Sequence, residues 1–163
     1  MAKLLDELKQ RKPFRNTREE AILNVWRTGD YFAQQMRRIL KPFGISQTQY
    51  NLLRILRGAG DEGLPCGEIG DRMLTSDPDI TRLLDRLVRG KLARRVRPPR
   101  DRRVIIARIT PAGLDLLRRV DPLISDMIDQ SLGHMREYEL KNLIALLEQM
   151  RHRVENSETA KSR

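Results

Sequence analysis

Arginines are concentrated in one stretch of this 163-residue chain and would allow it to bind a polyanion. Residues 82–108 hold eleven lysines and arginines against two acids, a net charge of +9, while the whole chain carries +10. Solvated faces of ordinary proteins mix both signs of charge, whereas this stretch does not. The stretch therefore predicts a nucleic-acid-binding surface, since duplex nucleic acid is the commonest polyanion in a cell.

Residues that usually carry catalysis or bind metals are few and scattered. His134 and His152 are the only histidines, with no cysteine or acidic cluster at metal-ligand spacing. Cys66 is the only cysteine, so an internal disulfide is excluded. No nucleophile, base and orienting residue form a recognisable set. We expect no enzymatic activity, no metal and no cofactor.

A short helix is predicted at the start of the basic stretch. Ser76 or Asp77 can cap it, and Pro78 suits its first turn. Its buried stripe consists of Ile80, Leu83, Leu84 and Leu87. A preceding short helix is predicted from Pro65 to about Leu74, and the two together form a helix-turn-helix pattern.

The exposed side of this second helix offers side chains suited to the edges of base pairs. The candidate DNA contacts are Ser76, Asp79, Thr81, Arg82 and Arg86. Arg82 can bond bidentately to guanine, Thr81 can touch a thymine methyl, and Arg86 is better placed for phosphate. Asp79 either accepts from cytosine or complements the helix N-terminus. The two arginines either face DNA or pair with Asp79 and Asp85.

A β-hairpin, or wing, is predicted next, with strands at 93–97 and 103–109 around a proline-containing tip. Its candidate DNA contacts are Arg94, Arg95, Arg97, Arg100, Asp101, Arg102 and Arg103. Either Arg102 or Arg103 is expected to enter a narrow minor groove, while the other pairs with Asp101. Because side chains alternate along a strand, some arginines of the first strand must face away from DNA.

Long amphipathic helices flank this winged unit. Capping boxes at 17–20 and 46–49 begin the first two helices, and Pro122 predicts a kink or break near Asp121. The apolar stripes are too broad for a small winged module to cover. A homodimer with interlocked terminal helices therefore competes with an intrachain bundle in a monomer, and we favour the homodimer.

The predicted fold class is mainly α with a small β-wing. The predicted parts are an N-terminal extension (1–16), a dimerisation helix (17–44), a winged helix-turn-helix DNA-binding domain (45–110), C-terminal dimerisation helices (111–154) and a flexible tail (155–163). No signal-like stretch or membrane span is present, so we expect a cytoplasmic protein that does not bind membranes.

The order of elements and five local motifs resemble the MarR family of bacterial regulators, over roughly residues 17–154. The motifs are the segments 68–74, 79–87, 90–95, 101–103 and 109–113, the last being Ile-Thr-Pro-Ala-Gly. The resemblance implies a dimeric winged-helix protein that binds palindromic operator DNA in the bacterial nucleoid. Such proteins usually repress transcription, and many release DNA on binding a small aromatic anion or on cysteine oxidation.

The resemblance also implies an effector pocket between the winged unit and the dimerisation helices. Candidate residues for a small aromatic or anionic effector are Trp26, Tyr31, Phe32, Met36, Tyr50 and Arg54. At helical spacing these residues can equally be core. Cys66, at a predicted helix start, is either a redox sensor or a small apolar residue. Relatives that sense oxidants keep their cysteine near the start of the first helix, where this chain has none.

Two other functions compete with a ligand-responsive repressor. One is an architectural DNA-binding protein without an effector, and the other is a winged helix that binds proteins. A protein-binding winged helix has no need for the seven arginines found between residues 94 and 108. The ratio of operator binding to random-duplex binding separates the two DNA-binding hypotheses.

Overall fold

The computed structural model of the chain describes residues 4–74, 79–97 and 104–161, with side chains up to residue 152. The longer helices are α1 (Leu4–Glu7), α2 (Thr17–Leu40), α3 (Gln47–Gly58), α4 (Cys66–Gly70), α5 (Ile80–Arg89), α6 (Pro111–Leu132) and α7 (Glu137–Lys161), with short 3-10 turns at Lys41–Phe43 and Gly60–Glu62. The strands are β1 (Leu64–Pro65), β2 (Ala93–Val96) and β3 (Ile106–Ile109), in an antiparallel sheet of order β1-β3-β2. The predicted fold class is confirmed.

Two compact units divide the chain, Met1–Ile124 and Ser125–Arg163. The first contains α1 to α5, the sheet and the first part of α6. Its core is built from fully buried leucines of α3 and α5, with Ala107 from the sheet and Val120 from α6. Burying one such leucine contributes roughly 1.5–3 kcal/mol. The predicted extension at the N-terminus adds to this unit, because Leu4 is buried and Glu7 pairs with Arg27 at 3.4 Å.

The first two long helices begin at side-chain caps. The Asn16 side chain, not the predicted Thr17, caps α2 by accepting from the Glu19 backbone N–H at 3.0 Å. The predicted box is therefore displaced by one residue, because asparagine is the stronger cap of the two neighbours. The box at Ser46 and Gln49 is confirmed, with both reciprocal hydrogen bonds present.

Helix α4 is shorter than predicted. It ends at Gly70 instead of about Leu74, and Pro65 precedes its first residue. Leu64 and Pro65 instead form β1, which was not predicted and pairs Leu64 with Ala107. Gly63 permits this approach: its φ is +69°, and a Cβ there would collide with the Ala107 carbonyl.

The hairpin strands are shorter than the predicted ranges of 93–97 and 103–109. Arg94 pairs with Arg108 and Arg95 with Ala107 in the register of β2 and β3. The tip lies outside the described residues, and so do the predicted contacts Arg100, Asp101, Arg102 and Arg103.

Helix α6 begins as predicted at Thr110, whose hydroxyl accepts from the Gly113 N–H at 3.1 Å and donates to the Lys91 carbonyl at 2.7 Å. The predicted break near Asp121 is wrong, because α6 runs unbroken through Pro122 to Leu132. Buried Val120 and Ile124 on either side of the proline hold the helix against its neighbours. The predicted flexible tail is helical in its backbone as far as Lys161.

Candidate nucleic-acid interface

The packing of α5 decides which of its side chains can meet a ligand. Leu83, Leu84 and Leu87 are buried in the core of the first unit. The opposite side therefore faces solvent, and it carries the exposed residues Thr81, Arg82, Arg86 and Arg89. The turn before α5 is held to α3, because the Asn51 side chain accepts from the Leu74 N–H at 2.8 Å.

Asp79 is the N-cap of α5. Its carboxylate accepts from the Arg82 N–H at 2.9 Å, and its other oxygen pairs with Arg82 Nε at 3.0 Å. The predicted cap at Ser76 or Asp77 is therefore wrong, and both residues lie outside the described ranges. Of the two roles considered for Asp79, the structure shows the one at the helix terminus. Arg82 nevertheless remains 80% exposed.

Three arginines follow one side of α5 from its first turn to its last. Arg82, Arg86 and Arg89 stand at positions i, i+4 and i+7, and all three are exposed. Arg89 was missed in the sequence prediction, although its spacing from Arg82 is the signal that identifies it. The row forms a continuous cationic edge along a helix that is rigidly backed by leucines.

The β2 arginines divide between two faces of the hairpin. Arg95 pairs with Asp85 of α5 at 2.5 Å, and its second terminal nitrogen donates to the Thr81 carbonyl at 3.3 Å. Asp85 therefore pairs with Arg95 and not with Arg86, as one prediction had it. Arg94 lies on the opposite face of the strand and Arg97 just beyond its end, and both are exposed.

The structure does not bring the six predicted effector residues together. Trp26 and Tyr31 are 65% and 51% exposed on α2. Trp26 lines a surface cavity of that helix region, and none of the other five candidates lines it. Phe32 meets Tyr31 edge to face at 5.5 Å, and Met36 is half-buried.

Tyr50 instead belongs to a polar cluster between α3 and α6. Its hydroxyl donates to Asp121 at 2.7 Å, Arg57 pairs with the other oxygen of Asp121, and the exposed Arg54 lies 5.8 Å from the Tyr50 ring. Burial first, and then the hydrogen bond to Asp121, raise the pKa of Tyr50 to about 12. Burial opposes ionisation of Asp121, but the hydrogen bonds from Arg57 and Tyr50 outweigh it and lower its pKa.

Large apolar side chains stay exposed on the long helices. On α6 and α7 they are Leu114, Leu123, Ile128, Tyr138, Leu143, Ile144, Leu146 and Met150. Contiguous apolar surface of this kind usually marks an interface with another chain. It matches the stripes that predicted a partner copy.

Other candidate chemistry has little support in the described residues. No cluster of three or more histidine, cysteine or acidic side chains suited to a metal occurs among them. None of the helices described has the length and apolarity that a membrane span requires. Cys66 is a half-buried free thiol at the start of α4.

Known proteins resemble this chain in both sequence and structure. Residues 43–104 match the family model described as MarR family. The HTH-type transcriptional regulator MhqR of Bacillus subtilis is 30% identical over 115 residues, which cover 71% of this chain and 78% of MhqR.

Two solved structures extend the comparison. A MarR transcription factor from Planctomyces limnophilus is 40% identical with a TM-score of 0.64, covering 83% of this chain and 98% of that one. MepR of S. aureus, solved in a complex with DNA, is 23% identical with a TM-score of 0.70, covering 78% and 93%. The likeness to MepR supports the fold alone.

Proposed function

The chain belongs to the MarR family of transcriptional regulators, and we propose that it is a homodimeric repressor that binds a palindromic operator in double-stranded DNA. The observation that carries this proposal is the row of exposed arginines on α5, backed by buried leucines. Such a repressor acts in the bacterial cytoplasm, on the nucleoid, and works by binding and not by catalysis.

In this proposal α5 is the recognition helix and lies in the major groove. Arg82, near its start, bonds to a guanine edge, and Thr81 touches a neighbouring base. Asp79 holds Arg82 by an ion pair in the free protein, which orients the guanidinium before binding. Arg86 and Arg89 lie further along the helix and contact phosphates, which position the helix without reading sequence.

The hairpin supplies a second contact in the adjacent minor groove. Arg97 leads towards the tip, where Arg100, Arg102 and Arg103 are proposed to reach the groove and Asp101 to steady one of them. Arg95 has a different role from the one predicted for the wing arginines: its bonds to Asp85 and Thr81 fix the hairpin against α5. It is a positioning residue for both grooves.

Dimerisation is the third part of the proposal. The exposed apolar side chains of α2, α6 and α7 would be covered by a second copy about a two-fold axis. Two recognition helices then face the same side of a duplex, and half-site centres should lie about 34–36 Å apart, or a multiple of that distance. Release by a small aromatic or anionic effector is part of the same proposal.

Selection of bound duplexes from a random pool tests the proposal directly. Wild-type protein should enrich a palindrome with a fixed half-site spacing, and an Arg82→Ala, Arg86→Ala double variant should enrich nothing. Arg118→Ala is the matched control, because Arg118 is an exposed arginine on α6 away from α5. An asymmetric consensus would contradict the dimer. Equal binding to all duplexes would favour the architectural alternative, and failure to retain any duplex would contradict DNA binding.

A further inference from the structure

A second cationic site lies on the face of the hairpin that points away from the Arg95–Asp85 pair. It is a cavity of about 540 Å³ within the first compact unit, where the end of α3, the sheet and the start of α6 meet. Its lining residues are Arg57, Gly60, Asp61, Arg94, Arg108, Ile109, Thr110, Pro111 and Leu114. Cavities that hold small organic ligands are commonly about 300–1,000 Å³ in volume.

Two guanidinium groups stand side by side in this cavity. Arg94 and Arg108 are directly opposite each other in the register of β2 and β3, so their side chains share one face of the sheet. Like charges in this position destabilise a sheet. Within the described part of the chain, neither arginine forms an ion pair that would relieve the repulsion.

The Arg108 side chain is also held in place for a ligand. Its Nε donates to the Glu62 carbonyl at 3.3 Å, and its two terminal nitrogens make no hydrogen bond to the described residues. A carboxylate is the anion that this planar edge matches best, since it can accept two parallel hydrogen bonds.

The charge around the cavity favours a single negative charge on the ligand. Of the three lining arginines, Arg57 is already paired with Asp121, and Asp61 adds one carboxylate to the wall. The three positive charges and these two negative ones leave one positive charge uncompensated. A monoanion neutralises it, whereas a doubly charged phosphate would reverse the sign.

The remaining wall is apolar. Ile109, Pro111 and Leu114 line it, and Leu114 is 37% exposed to water although it is a large apolar side chain. Covering that surface stabilises a complex in proportion to the apolar area removed from water. A DNA phosphate offers the charge but no apolar body, so the wall argues for a small organic ligand.

We propose that this cavity binds an amphiphilic monocarboxylate, with its carboxylate between Arg94 and Arg108 and its apolar body against Leu114. The site is distinct from the Trp26 and Tyr50 regions in which the sequence predicted an effector pocket. It does not depend on DNA binding, so the two proposals can fail independently.

Calorimetric titration of the full-length protein, without DNA, tests the site. The probes are benzoate and octanoate, their uncharged amides benzamide and octanamide, and inorganic phosphate. At least one carboxylate should bind at millimolar concentration or below, with its amide at least about tenfold weaker because the amide forms no charge-assisted hydrogen bonds. Phosphate should bind more weakly than the carboxylate.

Variants separate this site from a general attraction of anions to a basic protein. Arg94→Gln and Arg108→Gln should each weaken carboxylate binding about tenfold, and Leu114→Ser should weaken octanoate more than phosphate. Arg118→Gln removes one exposed arginine of α6 outside the cavity and should bind as wild type does. If Arg108→Gln misfolds because its contact with Glu62 is lost, the exposed Arg94 and Leu114 variants still carry the test.

Three results would overturn the proposal: no carboxylate binding at millimolar concentration, equal binding of carboxylates and phosphate, or unchanged binding in both the Arg94 and Leu114 variants. The second would show that an adventitious ion only occupies the cavity. None of these results would bear on whether the protein binds DNA.

Discussion

Arg95 Nη1 lies 2.5 Å from Asp85 Oδ1, so an ion pair joins the first strand of the hairpin to the middle of the recognition helix. Arg95 also donates to the Thr81 carbonyl, one turn earlier on the same helix. The helix and the hairpin are proposed to enter adjacent grooves at the same time. Their relative position therefore decides whether both can bind.

The first prediction concerns this pair. Asp85→Asn should lower operator affinity, because the hairpin loses its anchor on α5, even though removing a negative charge near DNA would by itself raise affinity. Both partners are partly exposed, so the free energy of unfolding should change by only about 0–1 kcal/mol. Fluorescence anisotropy with a selected operator measures the affinity.

Salt dependence distinguishes positioning by Arg95 from direct contact. Arg95→Gln should weaken binding without changing the slope of log affinity against log salt, whereas loss of a phosphate contact reduces that slope by about 1. Higher affinity in Asp85→Asn, together with a reduced slope in Arg95→Gln, would show that Arg95 is a DNA contact.

A second prediction separates the two functions of the first turn of α5. Arg82→Ala should cost about 1–3 kcal/mol of operator affinity and relax the preference at one base pair, while Arg86→Ala should weaken all sequences alike. Parallel anisotropy titrations against single-base operator variants measure both effects. A uniform loss in Arg82→Ala would assign it to phosphate.

The cap at Asp79 gives the third prediction. Asp79→Ala should lower the free energy of unfolding by about 0.5–2 kcal/mol, because the Arg82 N–H loses its acceptor. Asp79→Ser keeps a capping oxygen and should restore most of that stability in urea unfolding. Equal loss in both variants would mean that the charge of Asp79, and not its cap, stabilises the helix.

The cluster of Tyr50, Asp121 and Arg57 predicts a pH dependence at both extremes. The pKa of Tyr50 is raised from 10.0 to about 12, so its contribution is complete below pH 10 and is lost as the pH rises towards 12. The pKa of Asp121 is lowered from 3.8, so its contribution is present above that pH and is lost in more acidic solution. Urea unfolding across pH measures both losses.

Two variants check the origin of this dependence. Tyr50→Phe should abolish the alkaline loss and cost about 1 kcal/mol near neutral pH. Asp121→Asn keeps an acceptor for Tyr50 but loses the charge paired with Arg57, so it should abolish the acid loss. An alkaline profile unchanged in Tyr50→Phe would place the titrating group elsewhere.

A glycine pair tests the packing that supports the hairpin. Gly113→Ala should destabilise the protein by about 1–3 kcal/mol, because a Cβ would collide with the Leu92 carbonyl and Ile109. Gly67→Ala is the matched control in α4, where a Cβ meets no other atom and the unfolding free energy should rise by up to about 1 kcal/mol. Thermal unfolding of both variants measures the difference, and destabilisation in Gly67→Ala would mean that α4 needs its glycine.

Patterns that repeat over several turns predicted this fold well. The leucine stripe of α5 places its exposed arginines, and the capping box at Ser46 marks the start of α3. Single-residue choices were harder. Asn16 and Thr17 both suit a cap, as do Ser76, Asp77 and Asp79, and only the surrounding backbone selects one of them.

Contacts between distant segments could not be predicted from local sequence. Strand β1 is two residues long and exists only because β3 lies beside it. The alternation in β2 predicts that some arginines face away from DNA, but only the register with β3 and the position of Asp85 identify Arg95 as one of them. The effector residues were grouped by residue type, whereas folding places Trp26 at the surface and Tyr50 in the core.

The most direct test of DNA recognition is the affinity of the protein for its selected duplex between 50 and 200 mM salt. If six to ten phosphates are contacted per dimer, affinity should fall by about 10³–10⁵-fold across this range, linearly on logarithmic axes. Affinity that does not change with salt, or no binding to duplex DNA at 50 mM salt, would contradict the account.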